Sequence, residues 1–393
     1  MRGCKDEFSA QEIGNALYGL QGMSSDSTEV RGMISVLAVK VRGCKVELTA
    51  QGVGNALYGL QGMSSDISEV RDMISVLSAK VRGCKDELSS QHVGNALYGL
   101  QRLSSDSAEV CGMISVLSAK VRGCRDDLSA QEIGNALYGL QGMSSDSAEV
   151  RDMISVLAAK VRGCKDELDA QGVGNALYGL QGMSSDSAEV RGMISVLAAK
   201  VRGCKDELSA QHVGNALYGL QGMSSDSAEV RGMISVLAAK VRGCKDDLSA
   251  QGVGNALYGL QGMSSDSAEV RGLESVVDAM WGHIVRLGSI SSNYKMLSYF
   301  DILCLGQSVT LSLPALRNNL GHDDYSKWEA VSKLLGSELS GRHSENQVSI
   351  GFRSNVERRV HTVLARVFDK SDIALTSNEF LFNLFDVDHQ AAS

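Results

Sequence analysis

Seven asparagines and seven tyrosines recur in this chain at intervals of forty residues. The asparagines are Asn15, Asn55, Asn95, Asn135, Asn175, Asn215 and Asn255. Each is followed three residues later by a tyrosine: Tyr18, Tyr58, Tyr98, Tyr138, Tyr178, Tyr218 and Tyr258. An amide carries a donor and an acceptor side by side and reads base edges, and a tyrosine ring stacks on a base. The same two side chains also serve a structural end, hydrogen-bonding between neighbouring elements to hold an array together. A second position varies while its surroundings stay fixed: Glu12, Gly52, His92, Glu132, Gly172, His212 and Gly252. It suits a specificity residue in a reader that takes one base per repeat, or it is a tolerant surface site. A third feature is basic: Lys40, Arg42 and Lys45, returning as Lys80, Arg82, Lys85 and as Lys120, Arg122, Arg125. Such a ridge would follow a phosphate backbone, or merely balance a helix dipole.

Other chemistry is thin. The seven histidines are scattered, and there is no Cys/His cluster, HExxH, GxSxG or Gly-rich phosphate loop. Asp323–Asp324 and the pair Asp386 and Asp388 fall in turn-like and loop-like segments. We therefore expect no catalytic residue, no metal, no cofactor and no small-molecule substrate. Seven of the nine cysteines, from Cys4 to Cys244, share the forty-residue spacing, which reads as reduced thiols of a repeat in an intracellular compartment. A net charge of −8 over 393 residues argues against attachment to nucleic acid by bulk charge alone. No run approaches ~18 uninterrupted apolar residues, so no membrane span is expected. With 44% apolar and 21% charged residues the composition is globular rather than disordered.

The elements that must position these residues follow from the period. The block at 201–240 occurs seven times in near-identical form, starting at residues 1, 41, 81, 121, 161, 201 and 241, and the last copy decays after Gly272. Blocks 161–200 and 201–240 differ only where Asp169 and Gly172 become Ser209 and His212. A fixed period of this size means a solenoid, propeller or array. In the first copy Ile13, Ala16, Leu17 and Leu20 lie on one helical face, and Val30, Met33, Ile34, Leu37, Val41 and Cys44 on another. Alternation with period two is absent, which excludes blades. Each unit is thus predicted as two helices. Helix A spans about 10–22 with Ser9 and Glu12 as a capping box, and helix B about 27–44 with Asp26 as its cap. One unit has too few apolar side chains to stand alone, so stacked neighbours supply the missing faces. Opposite the core of helix A sit Gln11, Asn15, Tyr18 and Gly22, which stacking turns into ladders. Gly14 and Gly19 flank the core and let successive A helices approach closely.

Residues 281–340 begin with helical patterns and are expected to cap the solenoid. In 341–393, SNVERRVHTVLARVF is an amphipathic helix capped by Ser354 and Glu357, and IALTSNEFLFNLFDVDH resembles a short hairpin. The Ser354-x-x-Glu357-Arg358-x-Val360 segment, the Asn378-Glu379-Phe380-Leu381 step and the closing Phe385-Asp386-Val387-Asp388 resemble the opening half of a RAP domain, over about 353–389. The two-helix units carrying ALYGLQGM resemble the helical repeats of RAP-containing organellar RNA-binding proteins. These include octotricopeptide-like and FAST kinase-like groups, and repeat subunits of the mitochondrial RNA-editing substrate-binding complex. The resemblance implies binding of single-stranded RNA in a mitochondrion or plastid, and control of its processing, stability or translation. RAP domains resemble a restriction-nuclease fold, with Asp386 and Asp388 near its first acidic position. The acidic-x-Lys strand that would follow is missing, so cleavage is not expected. Met1 is followed by RGCK, which belongs late in helix B, and no targeting peptide is visible.

The expected fold is therefore all-α. It comprises an α-solenoid of about seven forty-residue two-helix repeats (1–280), a helical cap (281–340) and a small α/β RAP-like end (341–393). The expected function is RNA binding without catalysis. The alternative is a protein-binding scaffold of armadillo or HEAT type.

Overall fold

The computed structural model describes residues 8–242 together with 255, 256, 259, 260 and 263. The contacts divide the chain after Ala279, and every described residue lies in the first part. The expected cap at 281–340 and the RAP-like segment lie outside the described residues. Among the described residues there are twelve helices and no strand.

Six are A helices: α1 (Ala10–Tyr18), α3 (Ala50–Tyr58), α5 (Ser90–Tyr98), α7 (Ala130–Tyr138), α9 (Ala170–Tyr178) and α11 (Ala210–Tyr218). Six are B helices: α2 (Thr28–Gly43), α4 (Ser68–Gly83), α6 (Ala108–Gly123), α8 (Ala148–Gly163), α10 (Ala188–Gly203) and α12 (Ala228–Arg242). Each A helix packs chiefly on the next A helix, and each B helix on the next B helix. The result is a two-layer α-solenoid. The apolar stripes read from the sequence close the space between the layers. Val93, Leu97 and Leu100 of one unit are fully buried, as are Val110, Met113, Ile114, Leu117 and Val121.

Helix A stops four residues earlier than its pattern suggests. Gly19 and its equivalents cap it, and the chain continues through tight turns in which the amides of Leu20, Gln21 and Met23 donate to Leu17, Tyr18 and Leu20. Gly22 then takes a left-handed φ of 76°, which glycine adopts without strain. Helix B is capped one residue later than expected. Ser27, not Asp26, accepts the amide of Val30, because the hydroxyl of the residue just before the helix has the shorter reach. The buried cysteines follow helix B as its C-caps, and burial raises the pKa of the Cys84, Cys124 and Cys204 thiols.

Polar bonds between units fix the stacking. The buried hydroxyl of Ser65 accepts from the amide of Ser104 at 2.9 Å, Ser105 from Ser144 at 2.8 Å and Ser145 from Ser184 at 2.9 Å. Arg71, Arg151 and Arg191 each staple the preceding loop by donating to two of its carbonyls, as Arg151 does to Ser145 at 2.7 Å and Asp146 at 2.8 Å.

Candidate nucleic-acid interface

Close approach of the A helices shapes the outer face. A Cβ on Gly14 would lie 3.2 Å from the Cα of Gly52, and one on Gly94 would lie 3.2 Å from Glu132 Cγ. The variable position is thus held against the preceding A helix. It also turns back on its own N-terminus. The carboxylate of Glu132 accepts from the amide of Ser129 at 2.8 Å, and Nδ1 of His92 and of His212 meets Ser89 and Ser209 at 2.9 and 3.0 Å. Where this residue is Gly52 or Gly172, Thr49 or Asp169 alone caps the helix. Capping engages Glu12, and capping with packing on the preceding A helix engages His92, Glu132 and His212. Gly252 lies outside the described residues.

The tyrosines form a continuous column. Rings Tyr18, Tyr58, Tyr98, Tyr138, Tyr178 and Tyr218 stack in turn with centroids 5.4–5.7 Å apart and interplanar angles of 15–21°. Both faces of each ring from Tyr58 to Tyr178 are therefore covered by tyrosine, and a base meets only ring edges and hydroxyls. Ring stacking runs through the whole seam between units, and a hydroxyl adds a bridge at Tyr178. Burial first, then the neighbouring phenols, raises the pKa of Tyr58, while Tyr138 and Tyr178 are raised in the same way against a smaller opposing pull from Arg102. Beside the column Gln101 donates to Gln61 at 3.3 Å and Gln141 to the Tyr178 hydroxyl at 3.5 Å. Equivalent rings stand closer than the ~8–10 Å between axes of packed helices, so the tyrosine side chains lean together along this edge.

The asparagines stand apart from that seam. From Asn55 to Asn255 they are half-buried, and Asn15 is exposed. The stems of Asn55 and Asn175 rest near Gly14 and Gly134, where an added Cβ would lie 3.8 and 3.7 Å from theirs. Within the described residues no side-chain hydrogen bond engages the amides of Asn15, Asn55, Asn95, Asn135, Asn175 or Asn215. Tyr258 lies outside the described residues.

The basic ridge is largely committed. Lys80, Lys120, Lys160, Lys200 and Lys240 each donate to the carbonyl of the cysteine ending the preceding B helix, Cys44, Cys84, Cys124, Cys164 and Cys204. Arg122 pairs with Asp152 at 2.7 Å, Arg42 with Asp72, Lys85 with Glu47 at 2.9 Å and Arg125 with Glu87. The amides opening α3, α5 and α9 are met by Asp86, Asp126 and Asp206 of the next unit. Those helix N-termini therefore already hold an anion. Thirty residues after Arg82, Arg162 and Arg202 the sequence has Gly112, Gly192 and Gly232, where Arg42 and Arg122 have the aspartates they pair with.

One residue that the sequence alone did not bring forward is Arg102. It stands where the other described units have Gly22, Gly62, Gly142, Gly182 and Gly222, and adopts their left-handed backbone at φ 68°. Its signal was present: it is the only departure from glycine at that position in seven copies. Among the described residues no cluster of His, Cys, Asp or Glu could hold a metal ion, and no helix is long and apolar enough to cross a membrane. Comparison with known proteins gives no matching family model and no matching curated protein.

Proposed function

We propose that the array binds single-stranded RNA along the A-helix face, one nucleotide per repeat, and catalyses no reaction on it. One observation carries this: a row of amides, one per unit and half-buried from Asn55 onward, whose donors and acceptors have no partner among the described residues. Amides held this way are free for base edges, and leaving them unpaired under a ligand would be costly. That the RNA is an organellar transcript is supported only by the resemblance of the repeats and of residues 353–389.

An extended peptide is a second ligand favoured by the neutral amides and committed lysines. Anisotropy titration of labelled single-stranded RNA against the full chain, from low to moderate salt, is the test. Binding that weakens when Asn135 becomes alanine supports the proposal. No RNA binding, or an affinity indifferent to Asn135→Ala, overturns it.

A further inference from the structure

We propose that the tyrosine column is a site of oxidative phenol coupling, where a haem peroxidase turning over hydrogen peroxide joins the rings of successive units by a covalent bond. This does not depend on the binding of RNA. Coupling needs two phenols in lasting contact, each open enough to lose an electron. The rings Tyr18 to Tyr218 stack in unbroken succession, with centroids 5.4–5.7 Å apart and planes 15–21° from parallel. Their faces close on one another, yet Tyr18 is 45% exposed and the rings from Tyr58 to Tyr218 are half-buried rather than sealed. Ring edges and hydroxyls are open to an oxidant.

The chemistry balances within a pair of rings. Each phenol gives one electron to the peroxidase and its hydroxyl proton to water, which leaves a phenoxyl radical. The unpaired electron is shared with the ring carbons beside the C–O bond, in π-lobes that point out of the ring plane. Stacked rings aim these lobes at each other, so a carbon–carbon bond forms between them. The hydrogen on each joined carbon then leaves as a proton while the oxygen regains one, and both phenols are restored. In sum the pair loses two electrons and two protons, and one hydrogen peroxide takes them up to become two waters. Contact along the whole column also lets a radical move, because a neighbouring phenol refills a phenoxyl and becomes one itself. Radicals formed on separate units thus meet on adjacent rings. The joint ties residues forty apart, such as Tyr98 and Tyr138, and closes a loop in the unfolded chain as a disulfide does.

The experiment treats the full chain, at a dilution that keeps molecules apart, with a haem peroxidase and hydrogen peroxide. It reads dityrosine fluorescence and the masses of proteolytic fragments, whose sequences around each tyrosine differ between units. Bonds between consecutive column tyrosines of one chain are expected, with a melting temperature above that of the untreated protein. Tyr98→Phe combined with Tyr178→Phe keeps the rings stacked but places Tyr138 between two rings that form no phenoxyl. The joints of Tyr138 should be lost, while Tyr18 still couples to Tyr58 and helix content is unchanged. A chain unfolded in denaturant before treatment should give tyrosine pairs without regard to position. No dityrosine in the folded chain, bonds between chains only, or the same pairs as in the unfolded chain would each overturn the proposal.

Discussion

A Cβ placed on Gly139 would come within 1.9 Å of the carbonyl oxygen of Leu97, one unit earlier. The clash is with backbone, so no rotamer change relieves it. Gly139→Ala should therefore cost about 3 kcal/mol or more by forcing units α5 and α7 apart. Gly192 is the control, because it lies inside α10 with open space around its Cα. Gly192→Ala should stabilise by about 0.5–1 kcal/mol through helix propensity. Thermal unfolding of both variants checks this; equal effects would mean the A helices are not in close contact.

The tyrosine column makes Tyr138 a structural residue with a testable signature. It stacks on Tyr98 and Tyr178 at 5.6 Å on either side, and its contacts are made by the ring. Tyr138→Phe should leave the melting temperature almost unchanged. Tyr138→Ala opens both stacks and should cost about 2–4 kcal/mol. A melting temperature lowered as much by phenylalanine as by alanine would show that the hydroxyl, not the ring, joins the units.

Much of this was legible in the sequence, and the rest failed for identifiable reasons. The forty-residue period and the phases of Ile13–Leu20 and Val30–Val41 specify two helices per unit, because burial of one face repeats with the helix turn. Gly14 and Gly19 announce close packing for the same reason that Gly139 cannot be changed. Ligand-facing chemistry was harder. A helical wheel puts Asn15 and Tyr18 on one face but carries no distance between units, so it could not tell that the phenols pair with one another while the amides stay free. The basic cluster looked available because its partners, Cys84 for Lys120 and Glu87 for Arg125, come from the preceding unit. Within a single unit they are invisible.

Lys120 offers a direct check on that point. Its ammonium group meets the carbonyl that ends α4's follow-on residue, Cys84, and so caps a helix C-terminus. Lys120→Met should lower stability by about 1–2 kcal/mol and leave RNA affinity unchanged. A variant of normal stability that loses RNA would return the ridge to the interface.

Acidification should loosen the stack through His92. Burial between α3 and α5 lowers its pKa from the ordinary 6.5, and Asp126 and Asp86 only partly oppose this. The unfolded chain then binds a proton that the folded chain resists. Stability is full above the unfolded value and is lost as pH falls through it towards the lower folded value. The melting temperature should fall as pH drops through the ordinary histidine value of 6.5 and below it. His92→Glu, which copies the cap of Glu132, should flatten the curve in that window. An unchanged slope in the variant would assign the loss to other groups.

Arg102 separates stability from binding. Its left-handed backbone is one that non-glycine residues adopt at a cost of about 1–2 kcal/mol. Arg102→Gly restores the residue of the other units and should stabilise by about 1 kcal/mol. The guanidinium is close enough to oppose the raised pKa of both Tyr138 and Tyr178, which puts a cation beside an otherwise neutral amide and phenol row. Bound RNA would bring a phosphate near it, so removing it should lower affinity and reduce the salt slope of RNA binding by about one. The two effects have opposite signs, so a protein that is more stable but binds RNA less tightly cannot be explained by loosening of the fold. A gain in stability with an unaltered salt slope would instead make Arg102 a strained residue without a part in binding.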